Sequence, residues 1–419
     1  MENELKSIRY QSEKYAKLTT LMNRVNAEEL IAAHEQQQTR KAAGVDGVTK
    51  AEYEEKLFAN VRDLVQRMKA FKYIPQPVRR TYIPKLNGKM RPLGIPAYED
   101  RLVQKVMADI LIDIYEPRFL ECSYGFRPNK NAHDVVRFIN DAVMNRTVNF
   151  VLDADIKGFF DNLDQKWLMK FLEHDIADKN FLRYVARFLK AGIMEDAKIY
   201  ESDKGAPQGG LISPILSNVY LYYVLDLWVE RVAKQRCYGK AHYVRYADDF
   251  LVLFEYRTDA VKFLRWLKAR LTKFGLELAE DKTRIVSFGR FFGTKDNFDF
   301  LGFTFYNTKG RNGVYRVGVK SSTKKLNAKR KALKAWLWTR LREPLEDTLR
   351  ILNLKLAGHY RYYGVNGNLR ELQKFRLYAF NSTYRMLKRR SQRSKLRIQK
   401  FQEIWDKQVA RPKITVQIW

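Results

Sequence analysis

An α+β lobe followed by an all-helical, strongly basic lobe is the fold class this sequence predicts, on three observations. Short apolar runs bounded by Gly, Pro and Asn read as strands, among them Val78–Ile83, Met90–Ile95, Phe150–Ile156 and Tyr243–Glu255. Between them, stretches such as Leu102–Tyr115 and Ala132–Val143 carry apolar residues at helical spacing. After Ser321 the strand signals stop, and Lys/Arg-rich helical runs such as "KKLNAKRKALK" take over. A chain of 419 residues is long for one core, so more than one lobe is expected.

Taken in order, residues 1–42 read as polar helix, with Leu18, Leu21, Val25, Leu30 and Ile31 as its apolar positions. "AGVDGVT" (Ala43–Thr49) interrupts as a loop, and helix resumes to about Phe71. Val78–Ile83 and Met90–Ile95 form a hairpin around "LNGK". "SYGFRPNKN" is a loop and "FVLDADI" a strand, followed by helices over roughly 165–191. "GAPQGGLISP" (Gly205–Pro214) is a Gly/Pro loop entering a helix to about Val232. A hairpin at 243–255, a helix at 258–274 and strands at 284–288, 298–305 and 313–319 complete the first lobe. Residues 321–409 are helical, with the lobe boundary at about 310–322.

Charge narrows the function. Lys and Arg number 78 against 47 Asp and Glu, a net charge of +31, and a surface this basic calls for a polyanion. The basic residues are spread along the chain rather than gathered beside an apolar anchor, which favours nucleic acid over a membrane surface. Two isolated cysteines, Cys122 and Cys237, exclude a disulfide framework or a zinc knuckle and fit a reducing cytosol. The N-terminus has no apolar core for a signal peptide, and no run approaches the roughly 18 apolar residues of a membrane span. A soluble, cytoplasmic, nucleic-acid-associated protein of bacterial type is expected.

Within that frame, "YVRYADDFLVLFE" poses a chemical problem. Asp248 and Asp249 are adjacent like charges inside what reads as a buried strand pair. Such a pair is costly to desolvate unless a cation neutralises it, and hard divalent cations prefer carboxylate oxygen. A bare Asp-Asp is most often an exposed turn; the flanking apolar strands argue against that here. A third carboxylate is expected from "FVLDADI", where Asp153 and Asp155 share one strand face, so spacing does not choose between them. Three carboxylates holding two Mg²⁺ ions is the arrangement for phosphoryl or nucleotidyl transfer. Gln208 in the Gly-rich loop, and Lys85 and Arg91 flanking the "LNGKM" turn, are candidate nucleotide contacts, though a plain helix-entry loop and solvated basic residues explain them as well. The five histidines show no ligand spacing, and "GHYRYYG" suits either helix packing, the safer reading, or nucleic-acid contact.

The ordered set "AGVDGVT", "IPKLNGKMRPLGIP", "SYGFRPNKNAHD", "LDADIKGFFDN", "PQGGLISPILSN", "YADD", "LAEDKT" and "FDFLGFTF" resembles group II intron-encoded reverse transcriptases/maturases over roughly residues 40–419. The resemblance implies a right-hand polymerase fold of fingers and palm followed by a helical thumb/maturase domain. It selects Asp155 over Asp153 and implies catalytic Asp155, Asp248 and Asp249, with metal held by these and Ile156. Lys85, Arg91, Gln208 and Phe159 fall at nucleotide-binding positions, with Phe159 where the family excludes a ribose 2′-OH. Gly44, Asp46, Gly47, Arg127, Lys282, Leu301 and Gly302 fall at template or primer positions.

The implied organisation is an N-terminal extension (1–50), fingers and palm (51–310), a thumb/maturase domain (311–385) and a short basic tail (386–419). Many relatives continue into an endonuclease with cysteine pairs; their absence leads to the expectation of none here, and of a primer supplied from elsewhere. The implied function is RNA-directed DNA synthesis with two Mg²⁺ ions, Mn²⁺ being a substitute. RNA template, DNA primer, dNTP, intron RNA and target DNA are the partners, with a homodimer among the allowed assemblies. The rivals are a domesticated enzyme of the same chemistry serving defence or repair, a splicing cofactor that only binds RNA, and an RNA-dependent RNA polymerase, which Phe159 disfavours.

Overall fold

Capping and apolar spacing together set the N-terminal helices. The computed structural model describes residues 2–419 apart from 85–89, 196–197, 201–203, 206–208, 292–295, 311 and 391–395. Helix α1 (Glu2–Lys14) is followed by α2 (Ala27–Glu35), whose N-terminus is closed by the Asn26 side chain accepting from the Glu29 N–H. Thr49 and Glu52 form a capping box at α3 (Lys50–Glu54), and α4 (Leu57–Lys69) buries Val61, Leu64 and Met68 along one stripe. The helix expected from the loop to Phe71 is thus two helices.

Strands β1 (Val78–Pro84) and β2 (Met90–Ile95) pair antiparallel, from Arg79 opposite Ile95 to Pro84 opposite Met90. The turn between them lies outside the described residues, and with it Lys85. Helix α5 (Tyr98–Tyr115) is buried on nearly all sides, as its dense apolar content requires. Helix α6 (Ala132–Asn145) precedes β3 (Phe150–Asp155), and α7 (Phe159–Asn162) begins one turn after it. Asp164 and Asp178 cap α8 (Gln165–Asp175) and α9 (Lys179–Lys190). Two strands not foreseen, β4 (Ile193–Glu195) and β5 (Lys198–Tyr200), extend the β1–β2 hairpin into a sheet of order β2-β1-β4-β5.

Helix α10 (Ser213–Leu221) continues as wide, π-type turns to Ala233. Strands β6 (Ala241–Tyr246) and β7 (Asp249–Phe254) then form the hairpin that opened the chemical argument, followed by α11 (Arg257–Lys273) and β8 (Arg284–Ser287). The four-stranded order is β6-β7-β3-β8. Phe250 to Phe254 are all buried, which explains a continuous apolar run rather than an alternating one.

Two units divide the chain. The first comprises Met1–Asn131, Leu152–Val252 and Arg257–Ile285; the second comprises Ala132–Val151, Leu253–Tyr256 and Val286–Trp419. The second unit holds a sheet of order β11-β10-β9, from β9 (Asn297–Phe300), β10 (Phe303–Lys309) and β11 (Tyr315–Ser321). The single strand expected at 298–305 is two, split at Leu301 and Gly302, whose φ angles of 49° and 80° make a tight hairpin turn. Helices α12 (Thr323–Trp338), α13 (Leu345–Tyr363), α14 (Leu369–Lys388) and α15 (Ile398–Gln408) follow, burying Leu333, Leu352, Leu372, Phe380, Phe401 and Trp405. Among the described residues no helix is long and apolar enough to cross a membrane.

Candidate active site

The β6–β7 hairpin turns on two residues, Ala247 and Asp248, while Asp249 opens β7. Ala247 has φ 57°, a left-handed conformation uncommon for a residue with a Cβ. Arg245 holds it there. Its guanidinium is fully buried and places all five N–H donors. Nη1 donates to the Ala247 carbonyl at 2.9 Å and to Asn218 Oδ1 at 2.9 Å. Nη2 donates to Ser123 Oγ at 2.8 Å and Asp226 Oδ2 at 2.5 Å, and Nε to Asp226 Oδ1 at 2.8 Å. Tyr243 also donates to Asp226, at 2.9 Å. Burial alone would make Arg245 easier to deprotonate, but Asp226 outweighs it and holds the guanidinium charged. The turn carrying the paired carboxylates therefore stands on a satisfied buried ion pair.

Asp155 ends β3 beside this turn. The Ala279 N–H donates to the Asp155 carbonyl at 2.8 Å and the Lys157 N–H to the Glu277 carbonyl at 2.9 Å. These bonds flank the Ile156–Leu278 bridge, so the Ile156 carbonyl is left out of that ladder and turned to its other side. Lys282 donates to Asp155 Oδ2, and Arg284 lies 3.5 Å from Asp153 Oδ2. Asp249 retains an exposed edge, yet burial, followed by the charges of Asp248, Asp155 and Asp153, pushes its pKa up to about 7, against the pull of Lys282. Asp248 is also raised, by burial and then Asp155, with Arg91 and Arg245 opposing.

Among the described residues no group of three or more His, Cys, Asp or Glu side chains is placed to hold a metal ion. An open set fits Mg²⁺, which takes one or two protein carboxylates and fills its shell with water and phosphate. The Lys282 ammonium on Asp155 marks where positive charge is already drawn.

The reverse transcriptase (RNA-dependent DNA polymerase) family matches residues 83–305, over half of the 419 and including all three carboxylates. The chain belongs to the reverse transcriptase family. Protein YkfC of Escherichia coli (strain K12) is 32% identical over 326 residues, 70% of this chain and 84% of YkfC. The group II intron-encoded protein LtrA of Lactococcus lactis subsp. cremoris is 32% identical over 287 residues, 54% of this chain and 47% of LtrA. Nuclear intron maturase 1 of Arabidopsis thaliana is 30% identical over 95 residues, 23% of this chain and 13% of that protein. This reverse transcriptase thus groups with the group II intron-encoded branch, while spanning about half the length of LtrA.

The remaining sequence-selected residues of the reverse transcriptase divide by exposure. Arg91 is exposed on β2 and its charge reaches Asp248. Gln208, like Lys85, lies outside the described residues; its neighbour Gly209 backs onto β2, where an added Cβ would meet the Gly94 carbonyl at 2.2 Å. Phe159 is buried against Phe160 and Tyr220. Gly44 is pressed against Pro96 and Ala97, and Asp46 accepts from the Tyr98 N–H at 2.9 Å, closing the N-terminus of α5. Asp46 is thereby engaged in structure, whereas Gly47, at φ 69° with open space around it, is the freer end of the loop.

Arg127, expected at a template or primer position, lies inside its own loop. It is buried, paired with Glu116 and bonded to the carbonyls of Leu120 (2.7 Å) and Ser123 (2.8 Å). A guanidinium so engaged shapes the loop from inside.

In the second unit, Tyr362 donates to the Leu301 carbonyl at 2.7 Å, and Tyr363 Oη would sit 2.7 Å from a Cβ at Gly302. The aromatics of "GHYRYYG" therefore brace the Leu301–Gly302 turn. The Arg245–Asp226–Asn218–Ser123 network escaped sequence reasoning. Its signal was available: an arginine inside a buried apolar strand must have a partner.

Proposed function

We propose that this reverse transcriptase synthesises cDNA on an RNA template by two-metal nucleotidyl transfer at Asp155, Asp248 and Asp249, and serves a group II intron as maturase. The observation that supports the chemistry is the grouping of these carboxylates, where burial first, and then the charges of Asp248, Asp155 and Asp153, raise Asp249 to about 7. Asp155, Asp248, Asp249 and the Ile156 carbonyl would hold two Mg²⁺ ions, or Mn²⁺. When bound, these supply the charge that favours attack by a primer 3′-hydroxyl on the dNTP α-phosphate and departure of pyrophosphate. Arg91, with Lys85 and Gln208, receives the triphosphate. Phe159 walls the sugar side and disfavours a ribose. Lys282, Leu301, Gly302 and the Gly44–Gly47 loop attend the template and primer.

The right-hand reading assigns fingers and palm to residues 51–310, with the β1–β2 and β6–β7 hairpins, and the thumb/maturase domain to 311–385, with α12, α13 and most of α14. The basic helices there, including "GHYRYYG", support intron RNA binding, and LtrA, by its name an intron-encoded protein, supports an intron partner. Target DNA and a bacterial cytoplasmic setting belong to the same reading.

Asp248→Ala tests it. In a purified primer-extension assay the variant should make no cDNA while its RNA affinity persists; normal extension would sink the assignment.

A further inference from the structure

We propose that Phe126 is a nucleobase contact of the polymerase site, its ring stacking on a base of the primer–template end served by Asp248 and Asp249. The inference rests on the polymerase reading above and adds a binding residue to it.

The backbone is the first observation. Phe126 has φ 57°, a conformation in which a bulky non-glycine residue is strained. Such strain persists only where the surroundings over-determine it, and it gathers at ligand sites. Here both neighbours are fixed. On one side, a Cβ at Gly125 would lie 2.2 Å from the Ala247 nitrogen, so this backbone is pressed against the catalytic turn itself. Asn218 donates to the Gly125 carbonyl at 2.8 Å, and the Tyr124 N–H donates to the Arg245 carbonyl at 2.9 Å. On the other side, Arg127 is locked by Glu116 and by the carbonyls of Leu120 and Ser123.

The second observation is what this rigid frame presents. The Phe126 residue is 54% exposed, and among the described residues its ring has no aromatic or cationic partner. Single exposed apolar residues are ordinary on protein surfaces. One held in a strained conformation beside Gly125, whose backbone packs on the residue preceding a catalytic aspartate, is not. The loop turns Arg127 inward, engages its other cation, Lys130, with Glu121 and the Tyr124 ring, and leaves the Phe126 face outward. Phosphate recognition would need the reverse. A fixed aromatic face suits a base, and stacking accepts any base, as a polymerase copying arbitrary template requires.

The test uses Phe126→Gly and Phe126→Leu in the full chain, with an RNA/DNA primer–template carrying 2-aminopurine at the primer terminus. Glycine tolerates φ 57°, so Phe126→Gly should unfold at the same or a higher temperature than wild type. Its Kd for the duplex should rise roughly tenfold, with loss of 2-aminopurine quenching. Phe126→Leu, which keeps the apolar bulk without the π face, should lose the quenching too. Duplex affinity and quenching within twofold of wild type in both variants would overturn the inference, as would a fall in stability without a change in affinity. If wild type itself neither binds nor extends the duplex, the polymerase reading fails instead, and the two failures are told apart.

Discussion

Asp100 and Arg245 show how single buried charges set measurable behaviour. Asp100 accepts from the Tyr73 hydroxyl and, at 2.9 Å, from the Gln76 N–H, yet burial holds its pKa up at about 7. The folded state therefore keeps a proton that the unfolded chain gives up near 3.8. Its contribution to stability is complete below that pH and is lost as pH rises through about 7. Urea unfolding of wild type should show up to about 1.4 kcal/mol of stability lost per pH unit across this window relative to Asp100→Asn, whose side chain does not titrate.

Arg245→Gln leaves Asp226 buried without its cation and should lower the unfolding free energy by about 3–5 kcal/mol. Replacing both with apolar residues, Arg245→Met with Asp226→Leu, should restore much of that stability but not primer extension, because nothing then holds the Ala247 carbonyl. Recovery of extension would mean the pair only stabilises. At this scale the sequence was half legible. The paired aspartates announced themselves by their cost, and Asp155 followed from the family resemblance. The burial of Arg127 was not legible, because burial is a tertiary property that a loop sequence does not display.

Hairpins carry the site, and their legibility depended on length. The β1–β2 and β6–β7 hairpins stood out because each pairs two strands of six or seven residues with a clear turn. Strands β4 and β5, three residues each, lack room for a periodic signal, and β4 exists because Val78 and Arg79 pair with it in parallel. The β9–β10 turn was hidden because the phenylalanines of "FDFLGFTF" run on through it, and only Gly302 hinted at a break. That glycine supports a sharp expectation. Gly302→Ala places a Cβ 2.7 Å from Tyr363 Oη at φ 80°. It should destabilise the protein by about 1–3 kcal/mol in thermal or urea unfolding. Pairing it with Tyr363→Phe should recover part of the loss by removing the clashing oxygen.

For the molecule as a whole, a charge of +31 predicts electrostatic binding. The logarithm of template–primer affinity should fall linearly with the logarithm of salt concentration, at about 0.7–0.9 per phosphate neutralised. A flat titration by fluorescence anisotropy would contradict phosphate-led binding. The lobe boundary expected near 310–322 followed composition, whereas the last passage of the chain from the first unit to the second is at Ile285–Val286, and the second also takes in α6 from earlier in the chain. No local pattern reveals such a return, since it depends on what α6 packs against. That packing has a consequence on the ribosome. Asn140 of α6 donates to the Ile418 carbonyl, 278 residues later, and Arg137 reaches the Gln417 carbonyl. At about 5–20 residues per second, α6 waits on the order of 15–55 seconds for these partners. Meanwhile Val135, Val136, Ile139 and Val143, all buried in the finished protein, have no complete core to enter. Newly made chains should therefore lean on chaperones at α6 until Gln417 and Ile418 have been made.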